Sequence, residues 1–144
     1  MENTENTKTK KIKLDFKESH YATGKRKTSI ARIWIKKGTG KIYVNGKIMV
    51  NYFHRATHQN QLMRPLEITS RISDYDLRCN VKGGGLTGQV GAIINGISKA
   101  LLKYEPDLKT SLKKEKLTTR DSRAVERKKY GHRKARRSFQ FSKR

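Results

Sequence analysis

One cysteine, two prolines, 12 acidic residues and no long apolar run mark this 144-residue sequence by what it lacks. A lone Cys79 can close no internal disulfide, which points to a reducing compartment. No stretch approaches about 18 consecutive apolar residues, so a membrane-spanning helix is excluded. Hydrophobic residues make up 33% of the chain, enough for a small core and too few for a large one. The length itself supports one modest domain. Against the 12 acids stand 35 lysines and arginines, a formal net charge of +23. Repulsion on that scale opposes compaction unless a polyanion neutralises it. Nucleic acid meets that need better than an anionic membrane or an acidic protein.

Composition divides the chain in three. Residues 1–20 hold five basic and four acidic residues with many Asn and Thr, and read as a flexible N-terminal extension. They fit neither a secretory signal, which needs an apolar core, nor a transit peptide, which is Arg-rich and acid-poor. Residues 21–126 carry most of the apolar side chains and form the expected globular domain. Within it, β-branched and aromatic residues over 28–35 predict a strand. Lys37-Gly38-Thr39-Gly40 predicts a turn and 41–44 a second strand, paired with the first as an antiparallel hairpin. Asn45-Gly46 marks a further turn, residues 50–55 and 59–66 short helices, and 76–81 a third strand. Val90, Ile94, Ile97, Leu101 and Tyr104, spaced by three and four, predict a helix over 87–104, with Thr87 as its N-cap and Pro106 as its stop. Gly88, Gly91 and Gly96 each cost that helix about 1 kcal/mol relative to Ala. Close packing on a sheet, or close approach to a phosphate backbone, must compensate. Residues 127–144 show no apolar periodicity and read as an extended basic arm, with a reach of ~60 Å at about 3.3 Å per residue.

Gly83-Gly84-Gly85-Leu86-Thr87-Gly88 satisfies the G-x-G-x-x-G pattern between a predicted strand and a predicted helix. A dinucleotide site would need further strand–helix units and an acid ending a second strand, and neither follows. A P-loop would need Lys-Ser/Thr where Gln89-Val90 stands. What remains is a set of glycine amides at a helix start, an anion site that suits an RNA phosphate. His54 and His58 lack the company a metal needs and read as a surface or RNA-facing pair, while Cys79 reads as a small buried hydrophobe. No Ser, His, Asp or Cys arrangement forms a catalytic constellation. No enzyme activity, metal, cofactor or small-molecule substrate is therefore expected. The basic runs from Arg120 onward interleave Tyr130, Phe139 and Phe141, so rings can stack on unpaired bases while Arg and Lys hold phosphates. From the residues alone the chain is an RNA-binding domain with a long basic arm, and a general nucleic-acid compaction protein is the alternative.

Tyr21-Ala-Thr-Gly-Lys-Arg-Lys-Thr-Ser-Ile-Ala-Arg, Gly40-Lys-Ile-Tyr-Val-Asn-Gly, Val81-Lys-Gly-Gly-Gly-Leu-Thr-Gly-Gln and Leu117-Thr-Thr-Arg-Asp-Ser-Arg occur in that order. Val125-Glu-Arg-Lys-Lys-Tyr-Gly-His-Arg-Lys-Ala-Arg-Arg-Ser-Phe-Gln-Phe-Ser-Lys-Arg follows them. Through these motifs residues 21–144 closely resemble small-subunit ribosomal protein nine in its bacterial or organellar form. The resemblance implies an α/β fold, two layers in an α+β arrangement, with a four-stranded sheet and helices disposed as in domain two of ribosomal protein five. It implies a structural constituent of the ribosome, bound to the 3′ major domain of small-subunit rRNA in the head, beside neighbouring head proteins. It also implies that the arm threads through rRNA to the anticodon stem-loop of the P-site tRNA, where Ser142, Lys143 and Arg144 make contact. Gly24, Lys25, Arg26 and Lys27 would face rRNA, with Lys82, Gly83, Gly84, Gly85, Thr87 and Gln89. So would Arg120, Arg123, Arg127, Lys128, Lys129, Arg133, Lys134, Arg136 and Arg137 along the arm and its approach. The location implied is a ribosome in a bacterial cytoplasm or an organelle, a mitochondrion before a plastid. Residues 1–20 depart from the short start of the bacterial proteins.

Overall fold

The computed structural model describes residues 16–143, so most of the expected extension and Arg144, one of the three expected tRNA contacts, lie outside the described residues. Strand β1 (His20–Arg26) turns through Lys27 and Thr28 into β2 (Ser29–Lys37), and the two pair antiparallel from His20↔Ile35 to Arg26↔Ser29. Lys27 takes a left-handed φ of 51° to close that tight turn. Strands β3 (Ile42–Val44) and β4 (Lys47–Ile48) form a second small hairpin. Its Asn45 and Gly46 sit at φ 51° and 80°, the positive values a two-residue turn needs. Helices α1 (Met49–Tyr52) and α2 (Ala56–Ile68) follow, and α2 continues through Pro65. Strand β5 (Tyr75–Lys82) leads into the long helix α3 (Leu86–Tyr104). A 3₁₀ turn and α4 (Lys109–Lys114) close the regular structure.

The five strands run in the order β1-β2-β5-β3-β4, antiparallel except where β3 lies parallel to β5. The domain is thus a mixed α/β structure as expected, with β4 making a fifth strand beyond the four implied. The expected β2–β3 hairpin does not form. β5 stands between them, because β2 finds in β5 a partner over eight residues, Ile30↔Lys82 to Lys37↔Tyr75, whereas β3 offers only three. The chain crosses the end of β5 to reach β3, and Asp76 Oδ1 holds that crossing by accepting the amides of Thr39 and Lys41, each at 2.9 Å. These bonds keep the Asp76 carboxyl below its ordinary range although burial alone would raise it.

Period-two alternation decides what the sheet buries. Ser29, Ala31, Ile33 and Ile35 of β2 and Tyr75, Leu77, Cys79 and Val81 of β5 point to the covered face. Cys79 is fully buried there, as expected, and burial pushes its thiol up to about 12. Helix α3 packs across β1 and β2, and α2 packs against α3. The glycines of α3 are explained by the sheet. A Cβ on Gly96 would come within 2.6 Å of Ile33, and one on Gly91 within 2.2 Å of the Arg26 side chain. Two expectations change at this level. Gly85, extended at φ −98°, is the N-cap of α3 in place of Thr87, which lies inside the first turn. His58 is buried edge-on to Phe53, ring centres 6.1 Å apart, and so does not join His54 on the surface.

Candidate nucleic-acid interface

Because β1, β2 and β5 are neighbours with alternating directions, the β1–β2 turn and the β5–α3 loop meet at one end of the domain. Gly83 and Gly84 take φ 77° and 63°, and each is pressed against the turn. Added Cβ atoms would come within 2.6 Å of the Thr28 carbonyl at Gly83 and 2.2 Å of Ser29 Oγ at Gly84. Ser29 Oγ donates to the Gly83 carbonyl at 3.0 Å, which ties loop to turn. Helix α3 then starts with no side-chain cap, and its first internal bond runs from the Gln89 amide to the Gly85 carbonyl at 2.9 Å. The amides of Leu86, Thr87 and Gly88 have no partner within the helix, and the helix dipole adds positive potential to them. Lys25, Lys27 and Lys82 stand exposed around this end.

A third segment arrives from the C-terminal side. Asn95, buried in the middle of α3, donates from Nδ2 to the carbonyls of Leu117 and Thr118 at 3.2 and 3.1 Å. Further on, Arg26 lies along the space left by Gly91, and its Nε sits 3.7 Å from Asp121 Oδ2. Arg123 grips the same carboxylate, with Nη2 donating at 2.9 Å and the Arg123 amide at 3.1 Å. Those bonds, the Arg123 side chain first, hold the Asp121 carboxyl down to about 2. The segment therefore runs back toward the start of α3, where Ala124 and Val125 join Lys27, Ser29, Gly84 and Gly88 around a groove of about 390 Å³.

Three motifs far apart in sequence are thus assembled at one site: Lys25–Lys27, the Gly83 loop with the start of α3, and Arg120–Arg123. Not all of their members face outward. Gly24 is buried beneath α3, where its missing Cβ lets strand and helix close up. The Gln89 side chain is engaged within the domain, donating to the Gly83 carbonyl at 3.2 Å and accepting from Tyr52 Oη at 2.9 Å. Thr87 Oγ1 lies 3.5 Å from His58 Nε2. Arg120 is exposed.

Beyond residue 126 no helix or strand forms among the described residues, and most side chains are exposed. The segment is not extended throughout. Gly131 at φ 69° starts a loop closed by a His132↔Ser138 bridge and an Arg133 amide bond to the Arg137 carbonyl at 2.8 Å. Arg127 lies over the Tyr130 ring at 5.6 Å and Arg133 over Phe139 at 5.2 Å. Glu126 takes Arg136 at 2.9 Å and Lys129 at 3.7 Å. Lys128, Lys134, Arg137, Ser142 and Lys143 are exposed. Phe141 is a bare ring, 104% exposed, and Tyr130, 94% exposed, meets only Arg127, so both are available for stacking. Asn95 and Asp121, which fasten the tail to the domain, were absent from the expected site. The one sequence signal for Asn95 is a polar residue on the apolar side of α3.

Among the described residues, no three His, Cys, Asp or Glu side chains gather to hold a metal, and no helix is long and apolar enough to cross a membrane. A family model described as ribosomal protein S9/S16 matches residues 24–144. Proteins named small ribosomal subunit protein uS9 from Rickettsia rickettsii, strains Sheila Smith and Iowa, are each 55% identical over 137 residues, covering 95% of this chain and 86% of the relative. The protein of the same name from Rickettsia massiliae, strain Mtu5, matches to the same extent.

Proposed function

The chain belongs to the ribosomal protein S9 family and is a structural constituent of the small ribosomal subunit; from that premise we propose that it binds rRNA of the subunit head through the assembled end of its domain and reaches the P-site tRNA with its tail. The observation that carries this reading is the convergence of Lys25–Lys27, the uncapped start of α3 and Arg120–Arg123 at one end, with the tail departing from the same place. Amides at a helix start and guanidinium groups both prefer phosphate oxygens. Such contacts fix position without reading sequence, which suits a structural protein. The same premise carries the expected likeness to domain two of ribosomal protein five, neighbouring head proteins as partners, and a ribosome in a bacterial cytoplasm. The Rickettsia relatives support the bacterial side of that last expectation rather than the organellar one.

In the tail, Ser142, Lys143 and Arg144 are the proposed tRNA contacts, with the two cations neutralising backbone phosphates. Removing residues 142–144 is expected to leave subunit assembly intact and to speed tRNA loss from the P site. The effect should shrink as salt rises, since about two phosphate contacts disappear. Dissociation of tRNA from subunits carrying the shortened chain, measured at low and high salt, checks this. Unchanged dissociation at low salt would remove the tail tip from the proposal.

A further inference from the structure

Helix α3 covers one face of the sheet, with α2 packed against it, and the outward residues of the other face remain partly or fully exposed along β1, β2 and β5. The strand register gathers a particular set of side chains there. Tyr21, Trp34, Arg78 and Tyr43 stand side by side on one rung, and Thr23, Arg32 and Asn80 on the next. A third rung holds Lys25, Ile30 and Lys82. We propose that this open sheet face is a second RNA-binding surface, on which Arg32 and Arg78, stacked on Trp34, grip the phosphate backbone of rRNA. The proposal rests on the rRNA-binding reading above and extends it from Lys25 and Lys82 onto the Tyr21–Trp34–Arg78 and Thr23–Arg32–Asn80 rungs, which that reading does not use.

Both guanidinium groups lie over the same indole, Arg32 at 5.3 Å and Arg78 at 5.4 Å from its centre, and Arg32 also lies 5.8 Å from the Tyr21 ring. Stacking of this kind fixes the guanidinium plane and leaves its edge donors pointing away from the ring. Among the described residues Arg32 spends only Nε, on Tyr21 Oη at 3.3 Å. Among the described residues no carboxylate pairs with either arginine. Asp76 is the one acid at the outward positions of these three strands, and its Oδ1 is committed to the Thr39 and Lys41 amides. The ring face attracts each cation, but with no acid beside them the two like charges repel each other and their edge donors have no anionic acceptor within the chain. A phosphodiester backbone supplies the missing charge and accepts from both forks. Lys25 and Lys82 continue the positive surface to the turn and the Gly83 loop, so one RNA element can run from the site already described onto the sheet.

The test compares three full-length chains: unaltered, Arg32→Gln with Arg78→Gln, and Arg120→Gln with Arg123→Gln. Circular dichroism confirms that each is folded, and binding to a transcript of the rRNA head domain is followed across a salt series. The sheet-face variant is expected to bind roughly tenfold more weakly near physiological salt, with the slope of log affinity against log salt reduced by about 2. Full affinity and an unchanged slope in that variant would overturn the proposal while leaving the rRNA reading intact. Failure of the unaltered chain to prefer the head-domain transcript over an unrelated duplex would instead overturn the rRNA reading, and the proposal with it. A photo-reactive side chain at Asn80 in reconstituted subunits should cross-link to rRNA. Cross-linking to a neighbouring protein in its place would reassign the face to protein docking and overturn the proposal.

Discussion

Gly24 shows how much one missing carbon can decide. It belongs to the motif that suggested an RNA contact, yet its place is under α3, where an added Cβ would lie 2.0 Å from the Ala92 carbonyl oxygen and 2.3 Å from the Gly96 nitrogen. Both neighbours are backbone atoms of a packed helix and cannot swing aside. Gly24→Ala is expected to lower stability by about 3 kcal/mol, the upper end of ordinary overpacking, and a urea titration would read it as an earlier midpoint. Gly91 makes a useful contrast. There the obstacle is the flexible Arg26 side chain, and the gain of about 1 kcal/mol in helix propensity from Ala offsets part of the clash. The helix-breaking cost of Gly91 is plain from its place in the α3 pattern, whereas nothing in the sequence marks Gly24 as a packing residue. The atoms that crowd both glycines belong to the contact between β1 and α3, and the polar sequence of β1 does not announce a strand.

At the scale of elements, α3 is the piece on which fold and site both depend. Its N-cap, Gly85, has open space where a side chain would go and an extended backbone that any residue can adopt. Gly85→Asp should therefore cap the helix and raise stability by about 0.5 kcal/mol, since Asp caps better than Gly and a carboxylate suits the dipole. The same carboxylate would stand where a phosphate is proposed to sit, so rRNA affinity should fall. Thermal melting and filter binding on one variant check the two signs together, and equal or better RNA binding would move the phosphate elsewhere. Helix α3 and strands β2 and β5 were legible in the sequence because each carries its own periodicity. Strand β1 was not, since His20–Arg26 turns only Ala22 and Gly24 inward among polar neighbours. Strand β3 was legible as a strand, but its partner was not. Local pattern says which residues face inward and is silent on which strand lies next door. The open sheet face is illegible in the sequence for the same reason: Arg32 and Arg78 become neighbours only through the β2–β5 register.

Across the whole molecule, the basic tail is fastened to the domain before it departs. Asn95 holds residues 117 and 118, and Arg26 with Arg123 holds Asp121. The depressed Asp121 carboxyl sets the sign of the pH dependence. Its contacts favour the ionised form, so they contribute fully above the ordinary carboxylate value of 3.8 and are lost as pH falls toward about 2. Acidification should thus loosen the 120–125 segment from the start of α3 while the apolar core persists. Nuclear magnetic resonance of the Asp121 carboxyl would show a midpoint near 2, and a midpoint near 4 would mean that the tether does not hold in solution. Composition alone made the basic character of the tail plain. The loop between His132 and Ser138 was not, because it is closed by backbone bonds that leave no pattern in the residues.

The position of β5 between β2 and β3 has a consequence for how the chain is made. Synthesis delivers β1, β2, β3 and β4 first, yet the two hairpins share no edge until residues 75–82 arrive to join them. The layer that buries the sheet, α3, emerges later still. Until about two-thirds of the chain is out, the apolar sides of both hairpins have nothing durable to lie against, and long-range pairing of this kind is slow. The tail, with its dense positive charge, leaves after α3. By then the domain can already be closed, so the segment most eager for RNA enters solution anchored to a finished fold.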